Sequence, residues 1–307
     1  MITNWPLARR KNALWQRARI VQEIRIFFNR RDYLEIETPH RIPAPPPESH
    51  IEAVASGTWF LHTSPELCMK RMLAAGYEKL FQICRCWRKG ERGSRHTPEF
   101  TLLEWYRAGD DYTALMEECE ALIQTVSIAL GQGTRIRFRD QEIDMVSPWE
   151  RITVEEAFRC HGGISMKEAS ERDLFDEIMV QEIEPRLGRR KPTFIYDYPA
   201  DRAAMARLRR EDPAVAERFE LYMGGLEIAN AFTELTDLEE QRRRFQLEAS
   251  FRKSLGKTVY PMPDRFLDEM KNMPLSAGAA LGVDRLVMVF VDTETIDEVV
   301  TFTPEEL

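Results

Sequence analysis

The 307-residue chain has no long apolar run and no apolar segment behind its N-terminal charges. A membrane-spanning helix needs about 18 or more consecutive apolar residues, and a secretory signal needs an apolar stretch after a charged start. Neither pattern occurs, so the sequence predicts a cytoplasmic protein with no membrane segment. We find no internal repeat, low-complexity tail or interdomain linker, and we interpret residues 1–307 as one domain.

Cysteine is scarce, and its spacing excludes a disulfide framework. The five cysteines form no Cys-x-x-Cys pair, and their odd number in a chain without an export signal predicts free thiols. Cys84 and Cys86 lie two apart on a predicted strand, so their side chains should face the same layer. A metal there would need two more ligands, and packing is the favoured role. The cysteines are Cys68, Cys84, Cys86, Cys119 and Cys160.

The chain also lacks an excess of basic residues. It has 43 Lys+Arg against 51 Asp+Glu, a net charge of -8, whereas a nucleic-acid-binding surface is usually basic. These totals argue against tRNA as a partner, although a local basic patch remains compatible with them. The length and a hydrophobic content of 43% allow a large core, built as a single large sheet domain.

Hydrophobic periodicity and turn residues predict the elements around the motifs. Apolar residues recur at helical spacing from Asn12 to Arg30, and residues 34–38 then alternate as a strand. Residues 41–50 are rich in proline, which removes hydrogen-bond donors, and are expected to form a surface loop. The helical positions in question are Leu14, Ala18, Val21 and Phe28.

Aspartates mark the start of two further helices. Asp111 should cap a helix that runs to about Leu130, and Asp237 should cap one that ends near Gly256. Residues 135–200 predict a short strand hairpin followed by helices, with no group of residues that suggests chemistry.

A basic loop between two predicted strands is the most informative feature present. The strands are Lys79–Arg88 and Glu99–Tyr106, and on the second an aromatic ring, a carboxylate and a phenol share one face. Guanidinium, ammonium and imidazole donors suit phosphate oxygens, while two glycines let the backbone bend. The loop residues are Arg88, Lys89, Gly90, Arg92, Gly93, Arg95 and His96, and the shared face carries Phe100, Leu102, Glu104 and Tyr106. A solvated loop on an ordinary hairpin is the alternative.

A second hairpin is predicted around Gly224-Gly225, because both glycines accept the positive φ of a tight two-residue turn. In that register Glu227 lies opposite Tyr222, with Glu220 on the same face. Two such carboxylates repel unless a hard divalent cation bridges them to phosphate oxygens. Two exposed glutamates on a sheet face are the alternative.

Five segments, in order along the chain, resemble the motifs of class II aminoacyl-tRNA synthetases, specifically the lysyl branch. They are YLEIETP (33–39), TSPELCMKRML (63–73), the basic hairpin (81–106), ERFELYMGGLEIANAFTELTD (217–237) and GAALGVDRLVMV (278–289). The resemblance covers nearly the whole chain. It implies an α+β fold, an antiparallel β-sheet flanked by helices, and a homodimer formed through the first motif.

The resemblance also implies what the catalytic domain acts on. Lysyl-tRNA synthetases carry an N-terminal anticodon-binding barrel, yet the first helix predicted here begins by Asn12, so we expect a catalytic domain alone. The chain is most similar to truncated paralogues that activate β-lysine with ATP and Mg²⁺ and transfer it to elongation factor P. Two alternatives stay open: a catalytically idle or regulatory paralogue, and an enzyme that transfers lysine to tRNA.

Residue roles follow from the resemblance by position. Arg88 matches the catalytic arginine that contacts the α-phosphate and the substrate carboxylate. Phe100 matches the ring that stacks on adenine, and Arg285 matches the catalytic arginine on the other face of adenine and the γ-phosphate. Arg95 and His96 match residues on the terminal phosphates, and Glu220 and Glu227 match the magnesium ligands. The residues that match the amino-acid pocket are Glu66, Glu104, Tyr106, Glu227, Ala229, Asn230 and Glu234.

Three positions depart from the family pattern. The glutamate two residues after the motif 2 arginine is replaced by Gly90, with Glu91 next to it, so the contact to the adenine end should shift or be lost. Ala229 replaces the glycine of lysyl-tRNA synthetases, and its methyl is predicted to disfavour α-lysine by roughly 1 to 3 kcal/mol. Ala231 is unexplained. Strict alternation puts Asn230 and Glu234 on the face of the strand that points away from Glu227. A bulge near Ala229, which would bring them to the same face, is therefore expected.

Overall fold

The computed structural model describes residues 5–307, which contain thirteen strands and ten α-helices. The strands are β1 (Leu34–Glu35), β2 (Arg41–Ile42), β3 (Ala55–Ser56), β4 (Trp59–Leu61), β5 (Lys79–Trp87), β6 (Glu99–Ala108), β7 (Arg135–Phe138), β8 (Gln141–Asp144), β9 (Glu150–Thr153), β10 (Thr193–Pro199), β11 (Val215–Met223), β12 (Leu226–Thr233) and β13 (Ser276–Gly282). The α-helices are α1 (Pro6–Arg9), α2 (Lys11–Asn29), α3 (Glu66–Ala74), α4 (Tyr112–Ala129), α5 (Val154–Ala157), α6 (Met166–Glu171), α7 (Phe175–Ile178), α8 (Leu238–Ser254), α9 (Asp264–Glu269) and α10 (Val283–Val291).

Eight of the strands form one sheet in the order β1-β5-β6-β13-β12-β11-β10-β9. In this order the six strands from β5 through β6, β13, β12 and β11 to β10 pair antiparallel with one another. Parallel pairs occur only at the two edges, β1 with β5 and β9 with β10. The prediction of an α+β domain built on an antiparallel sheet with flanking helices is confirmed.

One face of this sheet is covered by helices α2, α4 and α10. Their apolar side chains pack with those of the central strands into the main hydrophobic core. The opposite face of β5, β6, β13, β12 and β11 carries polar side chains, which the register places side by side. The sheet therefore separates the hydrophobic core from a polar face whose side chains can take part in binding or catalysis. Within residues 5–307, no helix is both long and apolar enough to cross a membrane.

The predicted helices lie close to where the sequence put them. The first runs over α2, the aspartate at 111 caps α4, and the one at 237 caps α8, each by accepting hydrogen bonds from backbone N–H groups. Of the predicted helical positions, Phe28 is in the core and Val21 packs against it, whereas Ala18 is exposed. The residues of α2 that reach the core are Ile20, Ile24, Phe27 and Phe28.

The proline-rich segment 41–50 is not the surface loop that the sequence predicts. Its first two residues pair with β4 as a short strand, and Pro45, Pro46 and Pro47 are buried. Arg252 from α8 fixes the segment, since its guanidinium donates to the carbonyls of Glu48 at 2.6 Å and Ile51 at 2.9 Å. Proline removes donors as expected, and a side chain distant in sequence satisfies the remaining carbonyls.

The region 135–200 contains the predicted hairpin, β7 with β8. Its helices are shorter than predicted, broken into α5, α6 and α7 with π and 3-10 turns between them. Two strands that the sequence analysis missed, β9 and β10, extend the main sheet beyond β11.

Candidate active site

One row of the polar sheet face crosses five strands. Gln82 on β5 lies opposite Glu104 on β6, which lies opposite Ala280 on β13, then Asn230 on β12 and Glu220 on β11. Four polar side chains with a single methyl among them thus line one strip of the sheet. The predicted amino-acid and metal residues are brought together by this register.

The amino-acid end of the strip is centred on Glu104, which is 2% exposed. Its carboxylate accepts hydrogen bonds from the Ser64 hydroxyl at 2.6 Å and the Tyr106 hydroxyl at 2.9 Å. Burial, reinforced by the nearby Glu66 carboxylate, raises the pKa of Glu104 to about 8. A carboxyl group held in this way gains most from a cation that enters beside it.

A lysine that the sequence analysis did not assign lies between two of the predicted carboxylates. Lys70 Nζ is 2.6 Å from Glu66 Oε1 and 2.5 Å from Glu234 Oε2, and the lysine is 2% exposed. Burial lowers the pKa of Lys70, but Glu234 and Glu66 outweigh it and raise the pKa to about 12. Burial also raises the pKa of Glu234, with Lys70 opposing.

Gly278 on β13 makes room for this arrangement. A Cβ at this position would overlap the ring of Tyr106 and lie 2.5 Å from Glu234 Oε1. That oxygen is buried, and no group in residues 5–307 donates a hydrogen bond to it. The carboxylate of Glu234 therefore has an unused acceptor at the amino-acid end.

The other end of the strip collects the residues predicted to hold the terminal phosphates. Arg285 Nη1 lies 2.9 Å from Glu227 Oε2, and Arg285 Nη2 lies 2.6 Å from His96 Nε2. Arg95 reaches the same place, donating to the Gly225 carbonyl at 3.4 Å. Burial and the Arg285 guanidinium lower the pKa of His96, which keeps its nitrogen available as an acceptor near neutral pH.

Arg88 and Phe100 form the centre between the two ends. The Arg88 guanidinium lies 5.0 Å from the Phe100 ring centroid, and Glu91 Oε2 lies 3.9 Å from Arg88 Nη1. The glutamate missing at Gly90 is thus offset by one residue and still faces the motif 2 arginine. Arg92 is different, since it pairs with Asp297 and Glu305 near the C-terminus. Its interpretation as a phosphate donor stays a prediction, and these carboxylates are its partners in the structure.

Glu220 and Glu227 form a carboxylate pair that suits a hard cation. Glu220 accepts from Arg218 Nη2 at 2.6 Å and from the Tyr222 hydroxyl at 2.8 Å. Burial and the Glu227 carboxylate raise the pKa of Glu220. A third carboxyl, Glu184, was missed by the sequence analysis: burial, then Glu220 and Glu227, raise its pKa to about 7. This excess of negative charge fits a divalent cation.

The predicted bulge is present, and it changes the face on which one predicted pocket residue, Ala229, lies. Tyr222 pairs with Glu227 but Leu221 pairs with Ala229, so Ile228 is the extra residue. Asn230 therefore lies on the face of Glu220, as the sequence analysis required. Ala229 lies on the other face, in the main core, so the prediction that its methyl narrows the amino-acid pocket is wrong.

Ala280 occupies the position that Ala229 was expected to hold. Its register partners are Glu104 and Asn230, and it is partly buried on the polar face. Ala231, unexplained in the sequence, packs in the core beside Ala229. A one-residue bulge reverses the facing of every later side chain, so Ala229, which was chosen because it replaces the glycine of lysyl-tRNA synthetases, faces the core.

Some of the residues that were missed had a sequence signal. Lys70 follows Glu66 at i,i+4, a spacing that favours ion pairing on a helix. Ser64 precedes Pro65 at the start of α3, where hydroxyl groups are common near the first turn. Glu184 had no such signal, because its place depends on how residues 135–200 fold back onto β11.

The fold and this set of motifs define a class II synthetase catalytic domain. A sequence profile of the family "tRNA synthetases class II (D, K and N)" matches residues 6–306, and the chain belongs to this family.

Several relatives carry a more particular name, elongation factor P--(R)-beta-lysine ligase. The protein of this name from Histophilus somni (strain 2336) is 39% identical over 305 residues, covering 94% of each chain. That from Pectobacterium atrosepticum is 39% identical over 319 residues, covering 99% of this chain and 98% of the relative. That from Erwinia tasmaniensis is 40% identical over 309 residues, covering 94% of each.

Proposed function

We propose that this protein is an ATP-dependent ligase that activates (R)-β-lysine as an adenylate and transfers it to a lysine of elongation factor P. The observation that carries the proposal is the continuous polar strip, with a buried anionic pocket at one end and an arginine and histidine cluster at the other. The names of the relatives supply the substrate and the acceptor.

Charge balance supports a lysine-like substrate. The pocket holds the three carboxylates of Glu66, Glu104 and Glu234 and the one ammonium of Lys70. When all are ionised, two negative charges are left without a partner in the pocket. A lysine isomer brings two ammonium groups, and buried charges are stable only when paired and hydrogen-bonded. Tyr106 supplies an additional hydroxyl.

The reaction follows from what lies between the two ends. The substrate carboxylate attacks the α-phosphate of ATP in line, and pyrophosphate leaves. In this proposal Arg88 stabilises the charge that develops on the α-phosphate, Phe100 stacks on adenine, and Arg285 with His96 holds the departing phosphates. The amine of the acceptor lysine then attacks the adenylate carbonyl, releasing AMP.

Magnesium is part of the proposal. Glu220 and Glu227, with Glu184 beside them, would hold the ion, because a hard cation offsets carboxylates that otherwise raise one another's pKa. When bound, Mg²⁺ neutralises charge on the phosphate oxygens.

A homodimer and a cytoplasmic location complete the proposal. Trp15 on α2 is 70% exposed and Leu34 on β1 is 48% exposed. Leu34 lies in the segment 33–39, which resembles the dimer-forming motif of class II synthetases, and α2 is the helix that precedes this segment. Large apolar side chains on one surface mark interaction sites. All five cysteines lie in the described range and are free thiols, which suits a reducing compartment.

Pyrophosphate exchange without RNA tests the proposal. We expect magnesium-dependent exchange with (R)-β-lysine, weaker exchange with α-lysine, and a β-lysyl mass increment on purified elongation factor P. Folded protein that supports no exchange with any lysine isomer would favour a catalytically idle paralogue. Efficient charging of tRNA with unmodified elongation factor P would favour the tRNA alternative.

A further inference from the structure

We propose that His62, Cys84 and Cys86 form a binding site for a soft divalent cation, Zn²⁺, next to Phe100 on the polar face of the sheet. A ring nitrogen of His62 and the two sulfurs lie within 4.8 Å of one another. All three residues are buried, with His62 at 1%, Cys84 at 8% and Cys86 at 0% exposure.

The two sulfurs already have the spacing of a metal site. Cys84 Sγ and Cys86 Sγ are 3.9 Å apart. Two thiolates about 2.3 Å from a tetrahedral Zn²⁺ lie roughly 3.7 Å from each other. The strand geometry of β5, which points residues two apart to the same face, sets this distance, so the metal requires little movement of either cysteine.

The hydrogen bonding of His62 suits it to be the third ligand. Its Nε2 lies 2.7 Å from the Arg85 carbonyl oxygen, which can only accept, so Nε2 carries the proton. Nδ1 then holds a free lone pair, and it is a buried atom without a partner in the described part of the chain. Metal-binding histidines usually donate their second N–H to a carbonyl or carboxylate. The Arg85 carbonyl supplies that support here.

The donor set and its place decide which metal fits and how it is completed. Two thiolates and an imidazole favour zinc over magnesium or calcium, which prefer oxygen ligands. Three protein ligands leave a fourth tetrahedral position for water. Cys84 and Cys86 pack against Leu102 and the partly buried Phe100, on the same sheet face as Gln82 and Glu104. The metal would therefore lie beside the polar strip at β5, separate from Glu220 and Glu227 on β11 and β12.

Zinc content and cobalt spectroscopy test the site on the full-length protein. Reduced, chelator-treated protein is titrated with Zn²⁺ and with Co²⁺, then desalted and analysed for bound metal. We expect one tightly held zinc per chain and, with cobalt, a near-ultraviolet thiolate charge-transfer band and the strong visible bands of a tetrahedral site. Cys86→Ser and His62→Gln should each lower zinc affinity at least tenfold.

The chain offers a matched control pair, Cys160 and His161, which are adjacent and lie outside the site. Cys160→Ser and His161→Gln should leave stoichiometry and spectra unchanged. Three outcomes would overturn the proposal: no stoichiometric zinc in folded, reduced wild type; zinc that is lost in the control variants but kept in Cys86→Ser; or a Cys84–Cys86 disulfide found under reducing conditions in place of metal. Circular dichroism checks that each variant is folded, and Cys84→Ser provides a second test if Cys86→Ser does not fold.

Discussion

The two ends of the candidate active site differ in how far they are built before substrate arrives. At the amino-acid end, Glu104, Glu234 and Lys70 are at most 2% exposed and are held by hydrogen bonds and ion pairs. At the phosphate end, the side chains of Arg285 and Glu227 are 20% and 37% exposed and pair with each other.

This difference indicates which end selects the substrate and which end changes its ion pairs when ligand binds. A buried pocket with unmatched negative charge accepts only a cation of suitable length, because any other ligand leaves carboxylates desolvated and unpaired. At the phosphate end, Arg285 must exchange the Glu227 carboxylate for a phosphate oxygen. Such partially exposed ion pairs contribute little stability, so the exchange costs little. We therefore expect selectivity to reside at the buried end, and charge stabilisation on the phosphates at the open end.

The largest expected effect is between the two ends, from Arg88→Lys. Lysine keeps the charge but loses the planar fork that can contact two oxygens, so stabilisation at the α-phosphate should fall. We expect pyrophosphate exchange to drop about 10²- to 10³-fold in kcat. The matched control is Arg92→Lys in the same loop, which pairs with Asp297 and Glu305 and should lower kcat by less than twofold. Equal losses in both variants would contradict the role of Arg88.

Glu104→Gln tests the buried end. Removing one carboxylate from a pocket that binds a cation should raise KM for lysine isomers about 100-fold, as loss of a buried charge partner costs roughly 3 kcal/mol. The KM for ATP should change little, because the phosphate end is unaffected. The comparison of the two ends fails if both KM values rise together.

Stability of the ligand-free protein should fall as pH rises through neutrality. Glu104 has its pKa raised from 4.5 to about 8, so the folded state binds the proton more tightly than the unfolded state. Its contribution is fully present below pH 4.5 and is lost as pH rises through 8. The loss should reach a few kcal/mol, since one pKa unit corresponds to about 1.4 kcal/mol.

Denaturant titrations at pH 5 to 8 measure this dependence. In Glu104→Gln the slope should be smaller, and the variant should be more stable than wild type at pH 8. In the wild-type protein, saturating lysine should restore at pH 8 the stability that is lost on ionisation, because the bound ammonium favours the ionised Glu104 carboxylate. Stability that rises over this pH range would refute the raised pKa.

Local rules were sufficient for much of the fold and site. Turn chemistry at Gly224-Gly225 and alternation gave the register of β11 with β12, and the conflict at Asn230 predicted the bulge. Contacts between distant segments could not be predicted. Glu234, just after β12, contacts Lys70 on α3, and His62, just after β4 of the small three-stranded sheet, lies near Cys84 and Cys86 on β5, in both cases through tertiary packing. The same limit applies to the proline-rich segment, which Arg252 fixes from α8.

The smallest predicted effect concerns the methyl group of Ala280 on the polar strip, which is compared with the methyl group of Ala229 in the core. Ala280→Gly should shift the preference between (R)-β-lysine and α-lysine toward α-lysine by about tenfold, the effect of one methyl group in a pocket. Ala280 lies between Glu104 and Asn230, beside the carboxylate that we propose binds a substrate ammonium. Ala229→Gly is the matched control: its methyl packs in the core, so it should lower the free energy of unfolding by about 1 kcal/mol and leave the preference unchanged. Exchange rates with each isomer measure the preference, and denaturation measures the stability. If Ala229→Gly changes the preference and Ala280→Gly does not, the assignment of the two faces of β12 and β13 is reversed.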